Sequence, residues 1–459
     1  MDDLFDDVPT NEEAKKGENG AVNAYMPPSK PKKRRKMIRA VTAILLAAAC
    51  FVLGGFTVWF SLDSEIRTLL KVKLAIQQQY YKDIDDDEFY DAVFHGINHE
   101  LLDAYSSYLT ADEFRAEQGG LAGKRIGIGL VFNTKDANGN EQMLIVRVSG
   151  NSPAEQAGLR EGDRIVAYGK TENALTENQV FADFSTFLNA LSEGEKFFIR
   201  VQRGDESLIF EVSREAYVEN YVFYRTNTTS YGFTGKNADV WAEAGTPLSC
   251  LDGETAYIRL IQFGEGTEKQ FTKAMEHFKA DGKKNLVLDL RENGGGYLDT
   301  MQDIAGYFCK NTDKKNPTVV VAKGKSGEDV FKAKRNEYAD YFTSDSRIYV
   351  LADDGTASAS ECLIGAMVDY GAINFSDICL IERNGVAKTY GKGIMQTTYY
   401  LSAKLDAMKL TTAEIHWPVS GRSIHGRGVL PEDGAKTAQE NGYGDAEIAG
   451  ALKALGVIL

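Results

Sequence analysis

The first strong feature along the chain is a stretch without charge. Residues 40–60 are 21 consecutive uncharged positions rich in Ala, Leu, Val and Phe, the length that a helix needs to cross a bilayer. Trp59 and Phe60 stand at its far end, where interfacial aromatics collect. Beyond it Ile66, Leu69, Leu70, Val72, Leu74 and Ile76 recur at near-helical spacing, and Phe89, Val93, Ile97, Leu101 and Leu102 mark a second helical face. Residues 82–87 between them predict a turn and a helix cap; a calcium loop there would need a glycine and a glutamate that are missing downstream.

From Arg125 the period changes. Residues 126–132, 144–148, 163–168, 197–201 and 207–212 read as strands, the last two as a hairpin about Arg203-Gly204-Asp205. Residues 152–159 predict a short helix closed by Gly158, and 184–191 a second one. After about 215 the pattern alternates. Residues 256–260, 285–290, 318–322 and 348–352 are apolar enough for buried strands, while 267–280, 297–308 and 360–370 are helical. That alternation predicts an α/β core with helices against a mostly parallel sheet.

The chain has 459 residues, 43% hydrophobic and 26% charged, which suits two or three globular domains. Its charge is uneven. Residues 1–39 carry a net +2 and the remainder −16, an acidic body that argues against nucleic acid as a partner. The positive charge clusters in Lys30-Pro31-Lys32-Lys33-Arg34-Arg35-Lys36 and Arg39, just before the apolar stretch. Positive flanks stay in the cytoplasm, so the N-terminus is expected inside and residues from about 61 onward outside. A solvated or nucleic-acid-binding tail is the competing reading of the basic run. A cleaved signal peptide competes for the apolar one, but it asks for a shorter apolar core and an Ala-x-Ala site. Residues 1–30 are acidic and polar with few large apolar groups and are expected to be disordered.

The five cysteines contain no CxxC pair and the five histidines are scattered, so no metal site is readable. The cysteines read as buried free thiols, with one disulfide among the last four left open and Cys50 lipid-facing or packed.

Two short segments carry chemistry. Thr356-Ala357-Ser358-Ala359-Ser360-Glu361 surrounds a serine with tiny residues, between a buried strand and a helix, and Tyr390-Gly391-Lys392-Gly393 sets a lysine between glycines. A serine hydroxyl is a poor nucleophile until a base takes its proton, and a lysine can be that base only when burial or nearby positive charge keeps it neutral. Helix starts and exposed glycine amides, as in Asn293-Gly294-Gly295-Gly296, suit a developing oxyanion. Taken alone, either motif reads equally as a helix cap or a solvated lysine.

Residues 125–214, with their Gly-Ile-Gly-Leu and SPAEQAGLREGDRIVAYG segments, resemble a PDZ domain. That resemblance implies a site for a peptide C-terminus at Gly127, Ile128, Gly129 and Leu130, with the peptide adding a strand to the sheet. More broadly, AYSSYLTADEF (104–114), YIRLIQF (257–263), LVLDLRENGGG (286–296), TASASE (356–361), YGKGIMQ (390–396) and KLTTAEIHWPVSGRSIHGRGVLPE (409–432) follow one another as in the C-terminal processing peptidases, serine proteases with an inserted PDZ domain. Over 104–432 the chain resembles that family. The resemblance implies Ser358 as nucleophile, Lys392 as general base, Gln396 orienting the lysine, backbone N–H groups of Ala359 and Gly295 as the oxyanion hole, and Glu361 and Asp369 in support. It also implies proteolysis without metal or organic cofactor.

The expected architecture is therefore multidomain, α/β and α+β: 1–39 a cytoplasmic tail, 40–60 a transmembrane helix, 61–122 a helical region, 123–215 a PDZ domain and 216–459 an α/β protease core. The expected function is a membrane-anchored bacterial serine endopeptidase acting outside the cytoplasmic membrane on proteins with apolar C-terminal tails, with the PDZ domain gating the site or delivering substrate to it. The helices of 61–122 are a candidate homodimer contact. The rival from another class is an inactive anchored adaptor that binds tails; a small-ester hydrolase is a third reading. Within the site Ser360 is the rival nucleophile and Lys388 the rival base, and His416 and His425 invite a Ser-His-Asp reading. Three features depart from the family: about nine extra residues between Asp369 and Lys392, filled by 374–389; no proline before the glycines of 294–296; and an unusual composition over 226–250.

Overall fold

A computed structural model describes residues 32–458 apart from 137, 312–314, 384, 402–405 and 440–443; the expected disordered segment 1–30 lies outside the described residues. Two compact units result, residues 1–89 and 90–459.

In the first unit, the helix Lys32–Ser61 contains the uncharged stretch. Its part Met37–Ser61 is long and apolar enough to cross a membrane, and none of it is buried against protein, as fits a membrane span or a signal sequence. Asp63 then caps the helix Ser64–Gln79 by accepting from Glu65 N at 2.9 Å. The predicted cap at 82–87 also forms: Asp85 Oδ1 accepts from Glu88 N at 2.8 Å as the helix Asp86–Glu100 begins.

In the second unit, a six-stranded antiparallel sheet runs in the order Leu130–Lys135, Glu141–Val148, Arg164–Gly169, Lys196–Arg203, Glu206–Ser213, with Thr176–Glu177 pairing beside Arg164–Gly169. Helices Pro153–Ala157 and Phe181–Asn189 flank it. Met143, Ile145, Ile165, Phe184, Phe197, Ile199 and Val201 form its buried core. Ser152 caps the short helix, Pro153 starts it and Gly158, at φ +91°, ends it, as the pattern predicts. The apolar run 126–132 is not one strand. It breaks at Ile128-Gly129: Lys124–Gly127 pairs with Glu215–Val218, and only Leu130–Lys135 joins the main sheet. Gly129 at φ +81° is the reason. A Cβ there would lie 2.2 Å from Ser152 Cβ, so the chain turns on a residue that only glycine fills.

The remaining body holds two sheets. The larger has eight strands in the order Val240–Glu243, Ser230–Thr234, Val222–Arg225, Thr255–Leu260, Asn285–Asp289, Ile348–Ala352, Ile378–Glu382, Lys436–Gln439. Its pairings are parallel from Thr255–Leu260 to Lys436–Gln439 and antiparallel at the other end, where the unusual segment 226–250 supplies two strands. Helices cover both faces. Leu286 and Leu288 pack with Phe271, Met275, Phe308 and Leu363 on one side, while Val287, between them, packs with Leu351, Cys379, Ile448 and Leu452 on the other. An apolar run buried on both faces needs no alternation, which is why 285–290 reads as it does.

One expected core strand lies elsewhere. Thr318–Gly324 belongs to a second, antiparallel sheet with Gly327–Lys332, Ala407–His416, Ile394–Tyr400 and Ser107–Leu109. Its apolar composition could not say which sheet it would join. Likewise part of the extra segment 374–389 is not a loop: Ile378–Glu382 is a buried strand of the large sheet. All five cysteines are free thiols, with Cys309, Cys362 and Cys379 buried, so no disulfide forms.

The helix Ala359–Asp369 lies deep in this core, and Gly365 lets Trp417 lie against its backbone. A Cβ at Gly365 would sit 2.3 Å from Trp417 Cδ1. Gly365→Ala is therefore expected to destabilise by about 1–3 kcal/mol through overpacking, read as a fall of several degrees in the thermal midpoint of the full-length protein; an unchanged midpoint would contradict the close contact.

Candidate active site

Ser358 follows the strand Ile348–Ala352 and stands at the N-terminus of the helix Ala359–Asp369. Its backbone is strained, with φ +58° and ψ −117°, a region that residues other than glycine rarely occupy. The neighbouring parallel strand Asn285–Asp289 leads into the glycine turn. The two loops are stitched together: Thr356 Oγ1 donates to Leu290 O at 2.8 Å, Ala357 N to Asn293 O at 2.9 Å, and Ser360 Oγ to Asn293 O at 2.8 Å. Gly295, at φ +97°, approaches Ser358 so closely that a Cβ would lie 2.8 Å from Ser358 Cβ. Any side chain there would push the turn off the serine.

The lysine loop is fixed to the serine loop by one carboxylate. Glu361 Oε2 accepts from Ser358 N and from Lys392 N, both at 3.0 Å. Its Oε1 accepts from Gly391 N at 2.9 Å and from Thr389 Oγ1 at 2.6 Å. Burial pushes the Glu361 carboxyl above its ordinary value, while the four donors pull the other way. The glycines around Lys392 are needed for close packing. A Cβ at Gly391 would meet Gly428 N at 2.9 Å, and one at Gly393 would meet His425 N at 2.6 Å.

Ser358, Lys392 and Gln396 line one cleft of about 450 Å³ together with Gly294, Gly295, Gly296, Tyr297, Glu117 and Lys409. Lys392 is half-buried, and its Nζ lies 5.2 Å from the centre of the Tyr105 ring. Burial, followed by repulsion from Lys409, lowers its pKa below that of an ordinary lysine. Its Nζ makes no hydrogen bond to Ser358 or to Gln396, and Gln396 Nε2 is buried with no partner among the described residues.

The other expected residues fall as follows. Gly295 N already donates to Asn293 Oδ1 at 2.9 Å, so the free donors among the described residues near Ser358 are Ala359 N, at the first helical position, and the N–H groups of Gly294 and Gly296. Asp369 is not at the site. It ends the helix that Ala359 begins, roughly 15 Å away at 1.5 Å per residue, and its carboxylate accepts from Val419 N at 2.8 Å and Ser420 N at 2.9 Å. Ser360 is fully buried and its hydroxyl is spent on Asn293 O. Lys388 lines a separate cleft of about 480 Å³ with His425, Asp354 and Tyr390, while His416 Nδ1 bonds Gly421 O at 3.1 Å; neither histidine bonds Ser358. Sequence reading missed Tyr105, Glu117 and Lys409, and gave Asn293 no part in holding Gly295 N. Tyr105 lies in the segment 104–114 and Lys409 opens 409–432, so their signal was a place in quoted motifs without a role attached; Glu117, three residues past 114, carried none.

At the PDZ-like domain, the N–H groups of Ile128 and Gly129 have no acceptor among the described residues, while Ile128 O and Gly129 O are held by Ala154 N at 2.9 Å and Ser149 N at 2.8 Å. The strand Leu130–Lys135 is the edge of its sheet. The ring of Phe132 lies 5.5 Å from that of Phe181 in the neighbouring helix.

Residues 254–433 match peptidase family S41, and the chain thus carries a peptidase S41 domain. Among curated proteins it is 29% identical over 372 residues to a probable CtpA-like serine protease of Staphylococcus aureus strain COL, covering 81% of this chain and 64% of the relative. It is 27% identical over 379 residues to a protein of the same description from Staphylococcus epidermidis, covering 81% and 66%. The chain spans just under two thirds of the length of these curated relatives. A solved S41 protein from Bacteroides fragilis shares the fold, with a TM-score of 0.52 at 15% identity over 83% of this chain and 90% of that one.

The carboxylate of Glu361 predicts coupled behaviour of two loops. Glu361→Ala removes the acceptor of three backbone N–H groups and one hydroxyl, each costing on the order of 1–3 kcal/mol when left unpaired. Amide hydrogen exchange is expected to accelerate together in 354–362 and 388–396. Acceleration in only one of the two would mean that the loops are held independently.

Proposed function

We propose that the chain is a membrane-anchored serine endopeptidase of the C-terminal processing type, with residues 123–215 binding substrate tails and 216–459 cleaving. The observation that carries this reading is the placement of Ser358, the glycine turn and a half-buried Lys392 on one cleft, with a single carboxylate holding the serine and lysine loops.

Ser358 Oγ attacks the scissile carbonyl and Lys392 Nζ takes its proton. The tetrahedral oxyanion is stabilised by Ala359 N–H and by a donor of the glycine turn. Since Gly295 N is engaged by Asn293, either that bond opens on substrate binding or the adjacent N–H of Gly294 or Gly296 serves. Protonated Lys392 then gives its proton to the leaving amine; neutral again, Lys392 Nζ takes a proton from water, whose hydroxide attacks the acyl-serine, and returns that proton to Ser358 Oγ as the acid product leaves. Gln396, on the same cleft, would hold Lys392 Nζ by accepting from it through the amide oxygen once the lysine swings toward the serine. In this reading Glu361 supports by geometry rather than by proton transfer.

Substrate tails dock at the loop 127–130. The free N–H groups of Ile128 and Gly129 receive the terminal carboxylate, and the open edge of Leu130–Lys135 pairs with the peptide as an added strand. The Phe132 and Phe181 rings, 5.5 Å apart beside that edge, would favour apolar side chains. The helix at 37–61 anchors the protein with the basic flank inside and the catalytic part outside. Exposed Ile66, Val72 and Leu74 offer a contact to a second copy.

Ser358→Ala and Lys392→Ala in the full-length protein in detergent are each expected to lower cleavage of an unfolded protein by roughly 10⁴-fold or more, with melting unchanged within a few degrees; continued cleavage by Ser358→Ala would end this reading. Fluorophosphonate labelling separates enzyme from adaptor, since the adaptor would bind apolar-tailed peptides without labelling at Ser358. Because burial favours the uncharged amine, kcat/KM is expected to rise with pH through an acid limb whose midpoint lies below the ordinary lysine value of about 10.4. A limb at or above that value would show a solvated lysine.

A further inference from the structure

The cleft holds a second lysine. The strands Ile394–Tyr400 and Ala407–His416 pair with Thr398 opposite Lys409 and Gln396 opposite Thr411. Residues two apart in a strand share a face, as do directly opposed residues on paired strands. Gln396, Thr398 and Lys409 therefore emerge on one face, and all three line the cleft with Ser358 and Lys392. Lys409 Nζ is gripped by Glu117 from the helix Ala111–Leu121, at 2.9 Å to Oε1 and 3.1 Å to Oε2. Their side chains are 26% and 34% exposed, so water screens this pair only in part. A fixed cation beside a basic amine makes protonating that amine harder, and the carboxylate that holds the cation softens the effect.

Other charged or titratable groups surround Lys392. Asp103 and Tyr105 come from the loop before Ser107–Leu109, and Tyr390 lines a neighbouring cleft together with Tyr105. Glu361 takes the Lys392 backbone N–H, and His425 packs on Gly393. Arg125, Arg147, Glu219 and Glu292 line the rest of the cleft, with Arg125 and Arg147 both paired to Glu219. After burial itself, Lys409 and then Glu117 act most strongly on Lys392, in opposite directions.

We propose that Lys409 and Glu117 form a positioning pair that sets the charge state of Lys392, Lys409 favouring the free base and Glu117 limiting how far. The proposal rests on Lys392 being the general base of the preceding section, and it assigns the pair no contact with reacting atoms.

Opposite shifts test it. The pH dependence of kcat/KM is measured on the full-length protein in detergent with a fluorescent casein. Glu117→Gln leaves Lys409 uncompensated, and the acid limb is expected to move to lower pH; Lys409→Gln leaves Glu117 uncompensated, and the limb is expected to move to higher pH. Each shift is on the order of 0.5–1 pH unit for partly screened charges at this range. Lys409→Arg keeps the charge and is expected to leave the limb in place. Limbs that stay put in both Gln variants, or that move the same way, would overturn the proposal, since a merely structural contact changes rate without opposite displacements. If a Gln variant fails to fold, Lys409→Met and Glu117→Ser replace it with the same expected signs. Failure of the general-base reading is distinguishable, because it appears as turnover surviving in Lys392→Ala.

Discussion

One buried carboxylate holds the site together. Glu361 sits in the first turn of the helix that Ser358 begins, and it reaches both the serine backbone and the lysine loop some thirty residues further on. Burying an ionisable group is costly unless its lone pairs are filled, and here four donors fill them. Because the two N–H groups at Ser358 and Lys392 share one oxygen, moving either loop breaks the other's bond. The separation of the two backbone segments is thereby set by a carboxylate at a helix terminus, and long-range placement of the loops becomes a local matter of where position 361 stands.

The strained serine and the glycine turn depend on the same packing. Ser358 keeps an unfavourable φ because Thr356, Ala357 and Ser360 are bonded to the neighbouring loop on either side of it. Gly295 presses against it where no other residue fits. Both loops leave the carboxyl ends of adjacent parallel strands, where an α/β sheet gathers groups from distant parts of a chain. The second, antiparallel sheet then brings Gln396 and Lys409 to the same cleft from the other side. The candidate site thus draws on both sheets, and Lys392 shares its cleft with charged groups that neither motif contains.

Much of this could be read from the residues. The uncharged stretch, the cap at 82–87, the helix end at Gly158 and the doubly buried strand Asn285–Asp289 follow from periodicity and capping chemistry, because those signals are local. The glycine flanks of Lys392 were legible as a sign of close chain approach, and the chain at 425–428 supplies that approach. Less legible was the fate of Thr318–Gly324, whose apolar run fits either sheet, and of the segment after Asp369, which reads as an insertion and contributes the core strand Ile378–Glu382. Strand partners are chosen by contacts far away in sequence, which composition does not encode.

By itself the amino-acid order determined most of the helices and strands and which segment is apolar enough to enter a bilayer, since these follow from side-chain size, polarity and spacing. Only the folded chain decided that Asp369 caps a distant turn, that Ser360 is spent on Asn293, that Gly295 N is already engaged, and that Glu117 and Lys409 stand beside Lys392. Hydrogen-bond partners and local fields depend on distances of a few ångströms between residues tens to hundreds of positions apart, and those distances exist only after the sheets have paired.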